Sequence, residues 1–321
     1  MNQPINKITI VAGGAGFIGS HLCKRLVAEG KNVWCIDNLS TGSIRNISSL
    51  MDKDTFHFIH HDIIVPYEFS DEKSIDAIYN FACPASPIHY QKDPIHTFKT
   101  SIIGNLNLLE LAKEKGARIL LASTSEVYGD PQVEVQNESY WGNVNPYGVR
   151  SCYDEGKRGA ETLFHDYHER YGVDTRIIRI FNTYGPQMSA DDGRVVSNFI
   201  VQALQGKALT IHGDGNQTRS FQYIDDLVNA IMLVMQDGIQ HSPINIGNPH
   251  EITVNTLAQL ILEQTGVQAT LSHQPLPQDD PYHRHPDIHL AHQVLNGWSP
   301  KVSLQEGLAM TIDYFRHAVN E

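Results

Sequence analysis

Short runs of aliphatic and β-branched residues alternate along the chain with longer segments whose apolar positions recur every three to four residues. KITIVAG (7–13) ends in glycine and predicts a first strand, followed by an amphipathic helix from Phe17 to about Glu29. NVWCID (32–37), HFIHHDI (57–63) and SIDAIYNFA (74–82) predict three more strands, and ARILLAST (117–124) and TRIIRIFN (175–182) two further ones. Residues 94–116 read as one long helix closed by Gly116, and a second helix carries Tyr153 and runs to about Tyr171. Strands separated by helices imply a parallel sheet covered on both faces, hence a doubly wound α/β architecture. Beyond residue 183 the pattern loosens and prolines become more frequent. Residues 1–183 are therefore expected to form the sheet domain, with about 222–250 returning to it. Residues 184–321 supply mainly a smaller, interleaved lobe that binds substrate.

The first predicted strand runs into GGAGFIG, with Gly13, Gly16 and Gly19 at every third position and a helix following. Such glycines allow a tight turn and let a pyrophosphate approach the backbone amides at the helix N-terminus, as in Rossmann-like folds. Phe17 and Ile18 lie within the same turn. Asp37 ends the second strand, where a carboxylate can bind both hydroxyls of an adenosine ribose and repel a 2′-phosphate. No Arg or Lys follows Asp37 until Arg45, so NAD is expected over NADP, with Asn38, Thr41 and Gly42 as further contacts. Asp62, with Ile63 beside it, either meets the adenine or caps a helix.

ASTSEVYG (122–129) places Thr124, Ser125 and Glu126 at the carboxyl end of a predicted strand, where ligands of open α/β sheets bind. Tyr153 and Lys157 stand four apart in SCYDEGKR and share one helix face. Oxidation of an alcohol needs a base for the hydroxyl proton, and a free tyrosine, with a pKa of about 10, is too weak at neutral pH. A neighbouring ammonium and a cationic nicotinamide both favour phenolate. Lys157 is therefore expected to acidify Tyr153, and Thr124 to share the reacting oxygen.

Taken together, these residues resemble the extended short-chain dehydrogenase/reductases that modify nucleotide sugars. LLASTSEVYGDP, CYDEGKR, RIFNTYGP, DDGRVVSNFI, QTRSFQYIDDLV, INIGNP and the closing DDP-x-x-R-x-PDI are similar to the UDP-glucuronate decarboxylase (UDP-xylose synthase) branch, from about Lys7 to Phe315. Two positions depart from that branch: Ser101 where asparagine is usual, and Cys83 where serine is common. The resemblance implies a cycle in which hydride leaves C4 of UDP-glucuronate for tightly held NAD while Tyr153 removes the hydroxyl proton. The resulting β-keto acid loses carbon dioxide, C5 is protonated, and the hydride returns to C4. It further implies that Arg219 and Arg284 hold the diphosphate, that Asn182 and Arg194 lie near the nucleotide sugar, and that Ser86, in the loop Pro84–Pro87, borders the glucuronate. Glu126 is expected to position the sugar and to destabilise its carboxylate by like-charge proximity; the competing reading is an ion pair with a neighbouring arginine. Ser125 either bonds the sugar or fills a turn. Family members pair through a four-helix bundle, so a homodimer is expected. Rival readings are a 4,6-dehydratase, a 4-epimerase and a non-catalytic NAD-binding regulator, although regulators of this kind typically lose the Tyr/Lys pair kept here.

Composition changes this picture little. The 321 residues, 41% of them hydrophobic, suffice for a large core. A net charge of −12 argues against nucleic-acid or anionic-membrane partners but leaves room for an anionic small ligand held by local arginines. No apolar run approaches the roughly 20 residues of a membrane span, and the N-terminus lacks a signal-peptide pattern. Cys23, Cys35, Cys83 and Cys152 are scattered and read as reduced thiols of a cytoplasmic protein. His283, His285, His289 and His292 crowd together, but Pro286 interrupts them and the chemistry needs no ion, so no metal site is expected.

Overall fold

The structure, a computed structural model, describes residues 7–69, 74–277, 279 and 283–318. The first six residues of the predicted sheet domain, the last three of the smaller lobe, and Asp280 and Pro281 of the closing motif lie outside the described residues.

Six strands follow the predicted order: β1 (Ile8–Ala12), β2 (Asn32–Asp37), β3 (Phe56–His60), β4 (Ile75–Asn80), β5 (Arg118–Thr124) and β6 (Thr175–Ile180). A seventh, Pro243–Ile246, joins β6 at the sheet edge. Across the sheet the order is Pro243–Ile246, β6, β5, β4, β1, β2, β3. Every pairing is parallel. The chain order reverses direction between β1 and β4, which opens a crevice at their carboxyl ends.

The strands are apolar on both sides because both faces are covered. Val11, Cys35, Leu120 and Ile178 pack on one face with α1 (Phe17–Ala28) and the helix Ile224–Val234. Ile10, Ile36, Leu121 and Ile177 pack on the other with helices Asn105–Lys115 and Ser151–Tyr171. Fully buried side chains such as Leu22 and Phe164 each contribute about 1.5–3 kcal/mol by leaving water. Helices Val195–Leu204, Val254–Thr265 and Leu304–Ala318 pack with three short strand pairs into the smaller lobe.

Several predicted boundaries change, with β3 ending at His60 and β6 at Ile180. β4 stops at Asn80, where the side chain accepts from Ala82 N (3.0 Å) and turns the chain. The predicted helix 94–116 is instead Pro94–Lys99, a π-helical turn Thr100–Gly104, and Asn105–Lys115, with Gly116 left-handed at its end (φ 62°). The wider turn brings Ser101 against Gly156, where a Cβ would lie 2.9 Å from the serine Cβ.

Candidate active site

A cleft of about 930 Å³ opens at the carboxyl ends of the strands. It is lined by every site residue expected from the sequence except Gly42, which stands beside Asp37 behind the wall.

At one end lies the glycine turn. Gly13 has φ 75°, and a Cβ there would come within 2.6 Å of the Phe81 carbonyl carbon, so only glycine fits between β1 and β4. The α1 N-cap is Gly16, the first turn carries no acidic residue, and no side chain caps it, which leaves its amides to an anion. Asp37 is buried, its Oδ2 accepting from Ala15 N (2.9 Å) and its Oδ1 from Leu39 N (2.8 Å). Its position at the β2 terminus, with the small Gly42 beside it, suits a ribose diol. These features fit an NAD-type dinucleotide on the chain's own geometry.

Asp62 caps no helix. Its Oδ1 accepts from Ile64 N (3.0 Å), and its Oδ2 meets Asn38 Nδ2 and His96 Nε2, each at 2.8 Å. Phe17, Ile18, Thr41 and Ile63 contribute to the same wall.

At the other end Thr124 caps the short turn Ser125–Tyr128, its Oγ1 accepting from Glu126 N at 3.2 Å. This capping fixes Ser125, which is buried, and Glu126 at the cleft floor. The helix Ser151–Tyr171 presents Tyr153 and Lys157, both buried. The Tyr153 ring stacks on Tyr90, and Lys157 Nζ donates to Ala122 O (2.8 Å), 5.8 Å from the Tyr153 ring centre. Burial pushes the Tyr153 phenol well above its ordinary value, opposed by a hydrogen bond with Thr124, and burial pushes Lys157 down. The expected acidification of Tyr153 by Lys157 is therefore not a property of the protein groups alone, because desolvation outweighs it.

Glu126 also differs from expectation. Its Oε2 accepts from Arg150 Nη2 (2.7 Å) and Arg284 Nη2 (2.9 Å). Against the effect of burial, Arg284 and Arg150 hold its carboxyl down to about 2. A carboxylate covered by two guanidiniums does not repel a substrate carboxylate, so the like-charge role gives way to the ion-pair reading. Arg284, expected on the diphosphate, lines the cleft and donates to Glu126 and to the Gly129 carbonyl.

Arg219 donates to Thr218 O (2.8 Å). Arg194 pairs with Asp192 and lies over the Phe17 ring, 5.8 Å from its centre. Ser86 heads the turn Pro87–Tyr90 and bonds His89 Nδ1 (2.9 Å), while the Asn182 carbonyl accepts from Gln222 N (2.9 Å).

Sequence reasoning missed Arg150, Asp154 and Tyr90. The four-residue spacing of Arg150 and Asp154 carried a signal of pairing, and their closest ion contact is 4.0 Å. Tyr90 carried none. Asp154 is buried, and its Oδ1 has no partner among the described residues. Burial, then the negative charge of Glu126, push its carboxyl up to about 8.

The fold, the glycine turn and the Thr124–Tyr153–Lys157 group define an extended short-chain dehydrogenase/reductase. The profile of the GDP-mannose 4,6 dehydratase family matches residues 10–311. The chain is 54% identical to UDP-glucuronic acid decarboxylase 6 of Arabidopsis thaliana over 97% of its own length and 89% of the relative's. It is 51% identical to UDP-glucuronic acid decarboxylase 1 of Danio rerio, over 98% of its own length and 74% of the relative's. Among solved structures it is similar to dTDP-glucose 4,6-dehydratase from Streptomyces venezuelae with NAD bound (TM-score 0.89, 28% identity, 98% of each chain). It is also similar to UDP-glucuronic acid 4-epimerase from Bacillus cereus in complex with UDP-glucuronic acid and NAD (TM-score 0.85, 30% identity, 97% of this chain and 99% of that one). The chain belongs to the UDP-glucuronic acid decarboxylase family.

Proposed function

We infer that this protein is an NAD-dependent carboxy-lyase converting UDP-glucuronate to UDP-xylose. The observation that carries this reading is the convergence of Thr124, Tyr153 and Lys157 with the Glu126–Arg150–Arg284 cluster in one cleft, in a chain about half identical to decarboxylases of that name. NAD, when bound on the α1 amides and Asp37, supplies the hydride acceptor at C4 and then the donor.

Tyr153 takes the C4 hydroxyl proton as the C4 hydrogen departs with its electron pair. The C4 ketone lies β to the C6 carboxylate, so the C5–C6 bond breaks readily, carbon dioxide leaves, and its bonding electrons pass into an enolate on O4. Tyr153, now carrying the proton, and the Thr124 hydroxyl hydrogen-bond that oxygen. C5 takes a proton from solvent water, hydride returns to C4, and Tyr153 gives its proton back to O4. Lys157 fixes the helix register through Ala122 and keeps two further donors for a ribose. With Glu126 ionised and Asp154 neutral, two arginines against one carboxylate leave the cluster with one positive charge. That suits anchoring the substrate carboxylate and then releasing neutral carbon dioxide. Arg219, Arg284 and Arg194 are the candidates for the diphosphate.

Residues 1–183 with 222–250 serve as the dinucleotide domain and the rest mainly as the sugar lobe. Ile95, Phe98 and Ile103 are exposed along one helical segment, which supports pairing of two copies through a four-helix bundle. Four free cysteines fit a reducing, cytoplasmic setting, and no helix among the described residues is long and apolar enough to cross a membrane.

The test is mass analysis of products from purified protein given UDP-glucuronate in deuterated water without added NAD. UDP-xylose carrying one deuterium at C5, with release of carbon dioxide, is expected. Recovery of UDP-galacturonate without carbon dioxide would assign the chain to epimerisation instead.

A further inference from the structure

At Gly185–Met188, after β6, the chain passes into the smaller lobe and bonds to α1 through Pro186 and Gln187. Gln187 adopts φ 69°, the left-handed region that glycine holds without strain and other residues hold at a cost. Its side chain spans two pieces of the cofactor wall: Oε1 accepts from the Ser20 hydroxyl (2.9 Å) and Nε2 donates to Asn46 O (3.3 Å). Asn46 in turn donates from Nδ2 to Ala15 O (2.9 Å), inside the glycine turn. The adjacent Pro186 carbonyl meets His21 Nε2 on α1 at 2.9 Å. Gln187 and Asn46 line the same cleft as Gly13, Gly16 and Phe17. The bonds thus tie a loop of the sugar lobe to both sides of the dinucleotide wall, with an unfavourable backbone conformation kept where the amide reaches both.

We propose that Gln187 is a positioning residue that latches the 185–188 segment onto the cofactor wall and so retains NAD through successive turnovers. This rests on the cofactor reading above. The cycle returns the cofactor to its starting state, so leaving the site has no part in turnover, and a latch holding it costs the reaction nothing. The amide gives specificity to the latch: it must accept at Ser20 and donate at Asn46, which glutamine does and glutamate does not.

The test compares wild type with Gln187→Gly and Gln187→Asn, each purified as holoenzyme. Release of bound NAD is followed by exchange against isotopically labelled NAD, and thermal unfolding is measured at saturating NAD. Glycine keeps the left-handed backbone and asparagine tolerates it, but neither side chain spans the gap, so both variants are expected to melt close to wild type while releasing NAD at least tenfold faster. A merely structural residue would lower the melting point and leave exchange unchanged. Exchange at the wild-type rate in both folded variants overturns the latch and leaves the cofactor reading intact. Wild-type protein that holds no NAD overturns both.

Discussion

Arg150 and Arg284 meet on the same oxygen of Glu126, at 2.7 and 2.9 Å. One guanidinium comes from the residue that caps the Tyr153 helix and the other from the segment after the smaller lobe's last strand, so the carboxylate joins the two parts of the chain at the floor of the cleft. Replacing Glu126 by Gln leaves two buried guanidiniums without their shared charge partner. Loss of one member of a buried ion cluster costs about 3–5 kcal/mol. Glu126→Gln should therefore unfold at lower denaturant concentration and release carbon dioxide at least tenfold more slowly, as read by urea titration and a carbon dioxide assay. Wild-type stability would remove the cluster's structural role.

Asp154 makes stability depend on pH in a definite direction. Its carboxyl is pushed up to about 8 in the fold, whereas an unfolded aspartate ionises near 4. Between those values the folded chain holds a proton that the unfolded chain has lost, so this group's contribution to stability falls as pH rises from about 4 to 8. Asp154→Asn removes that slope, which is at most about 1.4 kcal/mol per pH unit. Denaturant unfolding at pH 5 and pH 8 should show the variant gaining on wild type at the higher pH; a constant difference would refute the proton on Asp154.

Tyr90 lies parallel to Tyr153, with ring centres 5.0 Å apart and planes 5° from parallel, and its hydroxyl is buried without a partner among the described residues. The ring, not the hydroxyl, holds Tyr153 in place. Tyr90→Phe should match or exceed wild-type stability, because an unsatisfied buried hydroxyl costs about 1–3 kcal/mol. Tyr90→Ala should lose about 3–5 kcal/mol from the cavity and slow turnover as Tyr153 gains freedom. Thermal unfolding of the two variants side by side checks this; equal losses would assign the role to the hydroxyl.

Asp37 carries the cofactor preference. Asp37→Ser keeps a short acceptor but removes the charge that disfavours a 2′-phosphate, so the ratio of NAD to NADP affinity should fall at least tenfold, measured by titrating each nucleotide against protein fluorescence. An unchanged ratio would place the discrimination elsewhere.

Much of this was legible in the sequence because it is local. The strand and helix order follows from periodicity, and the glycine turn, Asp37 and the Tyr153–Lys157 spacing are short-range patterns set by one strand end or one helix turn. What escaped depends on distant segments meeting. Tyr90 touches Tyr153, and Arg284 meets Glu126, only because the sheet order brings those loops together. The π-helical turn at Thr100–Gly104 sets Ser101 against Gly156 of a distant helix, a contact that no local propensity encodes. The pKa of Tyr153 was misjudged for a related reason: spacing reveals a neighbouring ammonium but not the depth of burial that outweighs it.

The account stands on Tyr153 as the group that exchanges the O4 proton. The most direct measurement is single-turnover carbon dioxide release from UDP-glucuronate by Tyr153→Phe holoenzyme, with bound NAD quantified in the same sample. Loss of a positioned acid–base group lowers the rate by about 10²–10⁴-fold, and that fall, at undiminished NAD content, is the predicted result. Release within a few-fold of wild type would contradict it.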